Sequence, residues 1–150
     1  MRHLTRQPIV AEHLVESCAL IGPPGHGAAV TFLGIVRADA SGGRTVEALC
    51  YEAYEEMAER EIDGLVVAAT VRWPGTAVRV QHRLGDIPVG QISVAIVAAA
   101  AHRPAAYAAS RFLIEGIKRL VPIWKREQYD DGTSHWVGCA HHDEVVDAHV

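Results

Sequence analysis

Apolar residues along this chain fall into two periods, one helical and one extended, and the alternation between them outlines the fold. Ala58, Ile62, Leu65, Val66 and Ala69 recur at helical spacing, which predicts one buried stripe on a helix from Glu55 to about Trp73. Gly64 interrupts that helix at a cost of about 1 kcal/mol relative to alanine, and "WPGT" (73–76) ends it. A second long helix is predicted from about Pro104 to Val121, with Ala109, Phe112, Leu113, Gly116, Ile117 and Leu120 facing the core. Pro104 suits a first helical turn, where its missing N–H does no harm. Pro122 disfavours helical geometry at Val121 and stops the helix there. A shorter helix over 10–20 precedes "IGPPGHG" (21–27), whose prolines and glycines continue neither a helix nor a central strand.

Between these helices the pattern is extended. "AAVTFLGIVR" (28–37) reads as an apolar strand, "DASGGR" (39–44) as a flexible loop, and "TVEALCYEAY" (45–54) as a second strand expected to form a hairpin with the first. "AVRVQHRLG" (77–85) and "QISVAIVAAAA" (91–101) read as strands flanking a turn, "DIPVG". "IWKREQY" (123–129) and "SHWVG" (134–138) also read as extended. Strands that follow one another through short turns imply mostly antiparallel pairing, hence an α+β fold rather than a doubly wound parallel sheet. With no internal repeat or linker, residues 1–150 read as one domain.

Composition narrows the function classes. At 150 residues, 49% apolar and 21% charged, the chain can build a core without a disulfide or metal staple. A net charge of −4 argues against a general nucleic-acid binder. No apolar run reaches membrane-spanning length, and "MRHLTRQPIVAEHLVESCAL" lacks the features of a secretory signal, so a cytoplasmic protein is expected. Cys18, Cys50 and Cys139 are odd in number and form no CxxC, which suits a reducing compartment and offers no zinc site. "CAHHDEVVDAH" (139–149) superficially resembles a metal-binding tract, but without a second ligand cluster it reads as a solvated, flexible tail. Neither a metal nor a cofactor is assigned, and neither nucleotide-binding glycine fingerprint is present.

Candidate chemistry begins with "EGIKRLVPIWKRE" (115–127). It holds Lys118 and Lys125, the only lysines among fourteen strong bases. Arginine stays protonated in proteins, whereas lysine can lose its proton, attack a carbonyl or shuttle a proton. In "VAAAAHRPAAY" (97–107) an apolar strand runs out at His102 and Arg103 just where a helix opens. Free N–H groups and the helix dipole would favour a phosphate there. The alternative is that His102 caps the helix and Arg103 is solvated. Arg37 closes the strand "TFLGIVR", where an arginine is most often surface charge. Gly34 inside that strand can mark the close approach of another chain segment or a ligand, and Phe32 shares its face. Together Arg37, His102, Arg103, Lys118 and Lys125 describe a site for a phosphorylated substrate, with lysine moving a proton or attaching covalently. The residues alone do not name the reaction.

"FLGIVR" (32–37), "YEAYEEMA" (51–58), "HRLGDIPVGQISVAIVAAAAHRPAAYAA" (82–109) and "IKRLVPIWKRE" (117–127) occur in the order of a known family. They resemble the large, catalytic subunit of molybdopterin synthase over about residues 28–138. The resemblance implies an α/β-hammerhead version of the α+β class. It also implies a sulfurtransferase that builds the dithiolene of molybdopterin on cyclic pyranopterin monophosphate. The sulfur would arrive as a thiocarboxylate on the C-terminal Gly-Gly tail of a small ubiquitin-like subunit. The assembly implied is a homodimer of large subunits within a heterotetramer. On matching positions, Phe32, Arg37, His102 and Arg103 would bind substrate, and Lys118 and Lys125 would be catalytic. Lys118, near a helix C-terminus, suits contact with the donor's carboxyl end, and Lys125 suits proton transfer. Ile114 stands where some relatives carry methionine, and the tail after Trp136 follows no family pattern. Two rivals keep the scaffold without turnover: a pterin- or phosphate-binding protein, which has little need for both lysines, and a structural subunit, which would tolerate loss of the whole basic cluster.

Overall fold

In the computed structural model, which describes residues 1–21 and 24–137, strands and helices interleave along the chain. The order is β1 (Leu4–Thr5), α1 (Ala11–Ile21), β2 (Ala28–Ile35), β3 (Ala40–Ser41), β4 (Arg44–Ala53) and α2 (Glu55–Arg72), then β5 (Ala77–Arg83), β6 (Gly85–Pro88), β7 (Ile92–Ala100), α3 (Arg103–Leu120), β8 (Ile123–Tyr129) and β9 (Ser134–Val137). One sheet has the order β1-β5-β7-β2. The second has the order β3-β4-β8-β9, with β6 also paired to β4. Among the described residues only the short β1–β5 pair is parallel, so the fold is α+β. The expectation for the tail "CAHHDEVVDAH" falls outside the described residues.

β7 explains the architecture of the first sheet. Its run "ISVAIVAAA" does not alternate because both faces are covered, as unbroken apolar strands generally require. Val94, Ile96 and Ala98 face α2 and α3, packing with Ile62, Leu65, Val80, Leu113 and Ile117. Ala95, Val97 and Ala99 face the other way, against Leu14 and Cys18 of α1. Ile62, Ile96 and Leu113 are wholly buried, and each such side chain contributes about 1.5–3 kcal/mol. The helices touch closely at Gly116, where a Cβ would come within 2.6 Å of Leu65 Cδ2.

Four expectations from the sequence are corrected. β2 does not pair with β4. It lies along β7, with Ala28 opposite Ala100 and Gly34 opposite Val94. The partner that closes a hairpin with β4 is β3, through a two-residue turn in which Gly42 and Gly43 have φ of 58° and 78°. Positive φ at both central residues gives the turn that matches strand twist, so "DASGGR" is a tight hairpin rather than a flexible loop. "DIPVG" is likewise mostly strand: Gly85–Pro88 pairs with Ala48–Tyr51 and ties the two sheets together, leaving the turn to Val89 and Gly90. Leu120 is not in the core but 49% exposed. The last turn of α3 exposes Lys118, Arg119 and Leu120 together, with Ile117 and Val121 turned inwards.

β1 had no sequence signature, yet it fixes one corner of the molecule. Glu59 of α2 accepts from the backbone N–H groups of His3 and Leu4 at 2.9 and 3.0 Å. On the other side, the His82 N–H donates to the His3 carbonyl at 2.7 Å.

Candidate functional site

A cleft of about 530 Å³ opens where the first sheet ends and the second begins. Seven elements (β2, β4, β5, β7, α3, β8 and β9) meet there because β6 bridges the sheets and Pro122 turns the chain sharply from α3 into β8. Phe32 and Gly34 come from β2, and Arg37 stands two residues beyond its end. Lys118 arrives from the last turn of α3 and Lys125 from β8. Four of the six residues expected at the site therefore share one cleft.

His102 and Arg103 do not join them in the same chain. They sit at the opposite end of α3, about 22 Å from Lys118 at the 1.5 Å rise of an α-helix. His102 has extended backbone angles and makes no side-chain capping bond, so it does not cap α3 through its ring.

The electrostatics of the cleft follow from its pairs. Arg37 Nη2 lies 3.1 Å from Asp39 Oδ2, and both side chains are more than half exposed, so the pair contributes little to stability. Lys118 and Lys125 are exposed and make no ion pair among the described residues. Glu127, also at the cleft, accepts from the Tyr129 hydroxyl at 2.6 Å. The concentration of unpaired cation at Lys118 and Lys125, with Arg37 beside them, suits an anionic ligand.

Beneath the bases lies a polar floor that the sequence reading did not single out. Lys125 is directly opposite Tyr51 in the β4–β8 register. The Tyr51 ring meets His82 edge-on, with centroids 5.0 Å apart and planes at 71°. His82 is 6% exposed, and its Nδ1 lies 2.9 Å from the Arg83 carbonyl. Burial pushes its pKa down to about 4, against the opposing effect of that backbone contact. Burial also raises the Tyr51 phenol, and its hydrogen bond with Ser93 partly offsets this. Ser93 Oγ in turn donates to the Gly34 carbonyl at 3.2 Å. A signal for His82 was present: in "AVRVQHR" it follows Val78 and Val80 at inward-facing spacing, a polar residue at a core position.

Gly34 has a definite neighbour. A Cβ there would lie 2.6 Å from Val94 Cγ1, so the glycine makes room for a cross-strand side chain. No cysteine among the described residues lines the cleft: Cys18 and Cys50 are free, buried thiols elsewhere. Those residues also contain no cluster of three or more metal-ligating side chains.

Comparison with known proteins agrees with this arrangement. The MoaE protein family matches residues 4–120. The molybdopterin synthase catalytic subunit of Halalkalibacterium halodurans is 39% identical over 135 residues, spanning 90% of this chain and 83% of that protein. The Bacillus subtilis protein of the same description is 38% identical over the same shares. Among solved structures, molybdopterin synthase from Staphylococcus aureus superposes with a TM-score of 0.83 at 36% identity, covering 91% of this chain and 96% of that one. A complex of subunits 1 and 2 of molybdopterin-converting factor from Helicobacter pylori has the same fold, with a TM-score of 0.73 at 24% identity over 90% of this chain and 88% of that one.

Proposed function

Since this chain belongs to the MoaE protein family, we propose that it is the catalytic subunit of a molybdopterin synthase. It is a sulfurtransferase of molybdenum cofactor biosynthesis. It moves sulfur from the C-terminal thiocarboxylate of a small ubiquitin-like subunit to cyclic pyranopterin monophosphate, forming the dithiolene of molybdopterin. The observation that carries this reading is a cleft that gathers Arg37, Lys118 and Lys125, with no thiol among the described residues that line it. Such a site can bind anions and move protons, and it suits sulfur delivered by a separate donor. A carrier's extended glycine-ended tail fits that need, because glycine permits close backbone approach in a narrow channel.

In this reading Arg37 holds the substrate phosphate, and Phe32 is an apolar wall of the substrate pocket. Lys118 contacts the carboxyl end of the donor tail, where the helix C-terminus already favours a cation. Lys125 handles protons at the reacting carbons. Each dithiolene carries two sulfurs, so two thiocarboxylates are consumed per substrate.

His102 and Arg103 bind substrate from a second copy of the chain. The length of α3 supports this, since one helix cannot present both its ends to one cleft. A two-fold pair exchanges such ends reciprocally, giving a homodimer with a small subunit at each cleft, a heterotetramer. No helix among the described residues is long and apolar enough to cross a membrane, and the free thiols of Cys18 and Cys50 suit the cytoplasm.

The test is incubation of the purified chain with cyclic pyranopterin monophosphate and the thiocarboxylated small subunit, with detection of molybdopterin. Product is expected, and a carrier lacking its last two glycines should dock without donating sulfur. Binding of both ligands without product would identify a pterin-binding protein instead.

A further inference from the structure

The bases of the cleft share one chemical limitation. Arginine and lysine ammonium groups donate hydrogen bonds and cannot accept them. They can grip a phosphate, but the rest of a reduced pterin is rich in N–H groups that need acceptors. Three acceptors at the cleft already hold a donor. Asp39 is paired with Arg37, Glu127 accepts from Tyr129, and the Gly34 carbonyl accepts from Ser93.

His82 is different. The atom 2.9 Å from its Nδ1 is a carbonyl oxygen, which only accepts, so Nδ1 carries the proton. In the neutral ring Nε2 is then a bare lone pair, and the ring's hydrogen bond among the described residues is made by Nδ1 alone. The side chain lines the cleft. Its orientation is fixed from three sides: the edge-on contact with Tyr51, the Arg83 carbonyl, and the His82 backbone N–H held by β1. Arg83, the nearest guanidinium in sequence, is turned to Gln91 at 2.7 Å and leaves the ring alone.

We propose that His82 is a substrate-binding residue whose Nε2 accepts a hydrogen bond from an N–H of the pterin ring, so that the cleft reads the heterocycle as well as the phosphate. This rests on the function proposed above and adds a residue to it. Burial keeps the ring neutral through the physiological range, so His82 acts as a fixed acceptor rather than as a proton shuttle. A neutral acceptor also adds no negative charge beside an anionic substrate.

Two measurements test it. In the first, the imidazole nitrogens are followed by ¹⁵N NMR in the full-length wild-type protein, with the His82 ring assigned through its connectivity to the backbone. The free protein should show Nδ1 protonated and Nε2 bare, and Nε2 should shift on adding cyclic pyranopterin monophosphate but not inorganic phosphate. The opposite tautomer, or an Nε2 indifferent to substrate, overturns the proposal even if a His82 variant fails to fold. In the second, steady-state sulfur transfer is measured for wild type, His82→Phe and His82→Gln. Phenylalanine should raise KM roughly tenfold or more with kcat little changed, as for a contact made equally in ground and transition states. Glutamine, which can place an oxygen near the Nε2 position, should recover most of the loss. An unchanged KM in His82→Phe rejects the role of His82 while leaving the sulfurtransferase reading intact. A wild-type protein that forms no molybdopterin rejects the sulfurtransferase reading, and the ¹⁵N response to the pterin then decides the His82 contact by itself.

Discussion

Substituting alanine for glycine should have opposite effects at two positions, and the difference can be worked from the geometry. At Gly34 the new Cβ would lie 2.6 Å from Val94 Cγ1, whereas unstrained carbon contacts need about 3.5–4.0 Å. Val94 must retreat by roughly 1 Å, yet it is 6% exposed and flanked across the sheet by His82. A β-branched side chain has few alternative rotamers, so the penalty belongs in the upper half of the usual overpacking range, about 2–3 kcal/mol. Removing a strand glycine returns about 0.5–1 kcal/mol, leaving a net loss of about 1–2.5 kcal/mol. At Gly64, on the exposed face of α2, nothing lies within 4 Å of the added Cβ. Gly64→Ala should therefore stabilise by about 0.5–1 kcal/mol through helix propensity alone. For a chain of this size each kcal/mol moves the unfolding midpoint by about 2–4 °C, so the two variants should separate by roughly 5–10 °C in thermal unfolding followed by circular dichroism. Midpoints that move in the same direction would refute the claim that Val94 is what requires Gly34. The Gly34 variant should also raise KM, since Ser93 and Phe32 border the same added atom.

Lys118→Arg and Lys125→Arg keep the charge but cannot deprotonate, so each should lower turnover by about a hundredfold while partner binding persists; near-normal turnover in both would reduce the lysines to charges. Arg37→Ala should weaken substrate binding more than turnover, seen as a raised KM, because a phosphate contact holds ground and transition states alike. His82 links stability to pH. Its folded value of about 4 lies below the ordinary 6.5, so the unfolded chain takes up the proton first. The stabilisation is complete above about pH 6.5, falls as pH drops towards 4 and is flat below, on the order of 3 kcal/mol in all. Urea unfolding at about pH 7 and 4.5 should show this slope, and His82→Phe should flatten it.

The helices and their core stripes were legible in the sequence because a 3.6-residue period is local and the prolines at 74, 104 and 122 mark the boundaries. Strand partnership was not, because it depends on residues far apart. β2 and β4 are neighbours in the chain, yet the two glycines between them give β4 its own short partner and leave β2 to β7. A proline in a four-residue strand disguised β6 as a turn. For the site, Phe32, Arg37, Lys118 and Lys125 could be found from residue type and resemblance, and the fold gathers them. That His102 and Arg103 stand a helix length away is a matter of how β7 runs into α3, which no motif reports. His82 carries a local signal as a polar residue at a core position, but its meeting with Tyr51 depends on how the sheets pair, which no local pattern reports.

The length of α3 also has a genetic consequence. If each cleft takes its lysines from one chain and His102 and Arg103 from the other, two different inactive alleles can rescue one another. Mix Lys118→Ala chains with Arg103→Ala chains, and each mixed pair assembles one cleft with both lesions and one with neither. Random pairing would then restore roughly a quarter of wild-type activity from two dead parents. Two lesions at the same end of the helix, such as Lys118→Ala with Lys125→Ala, would restore none.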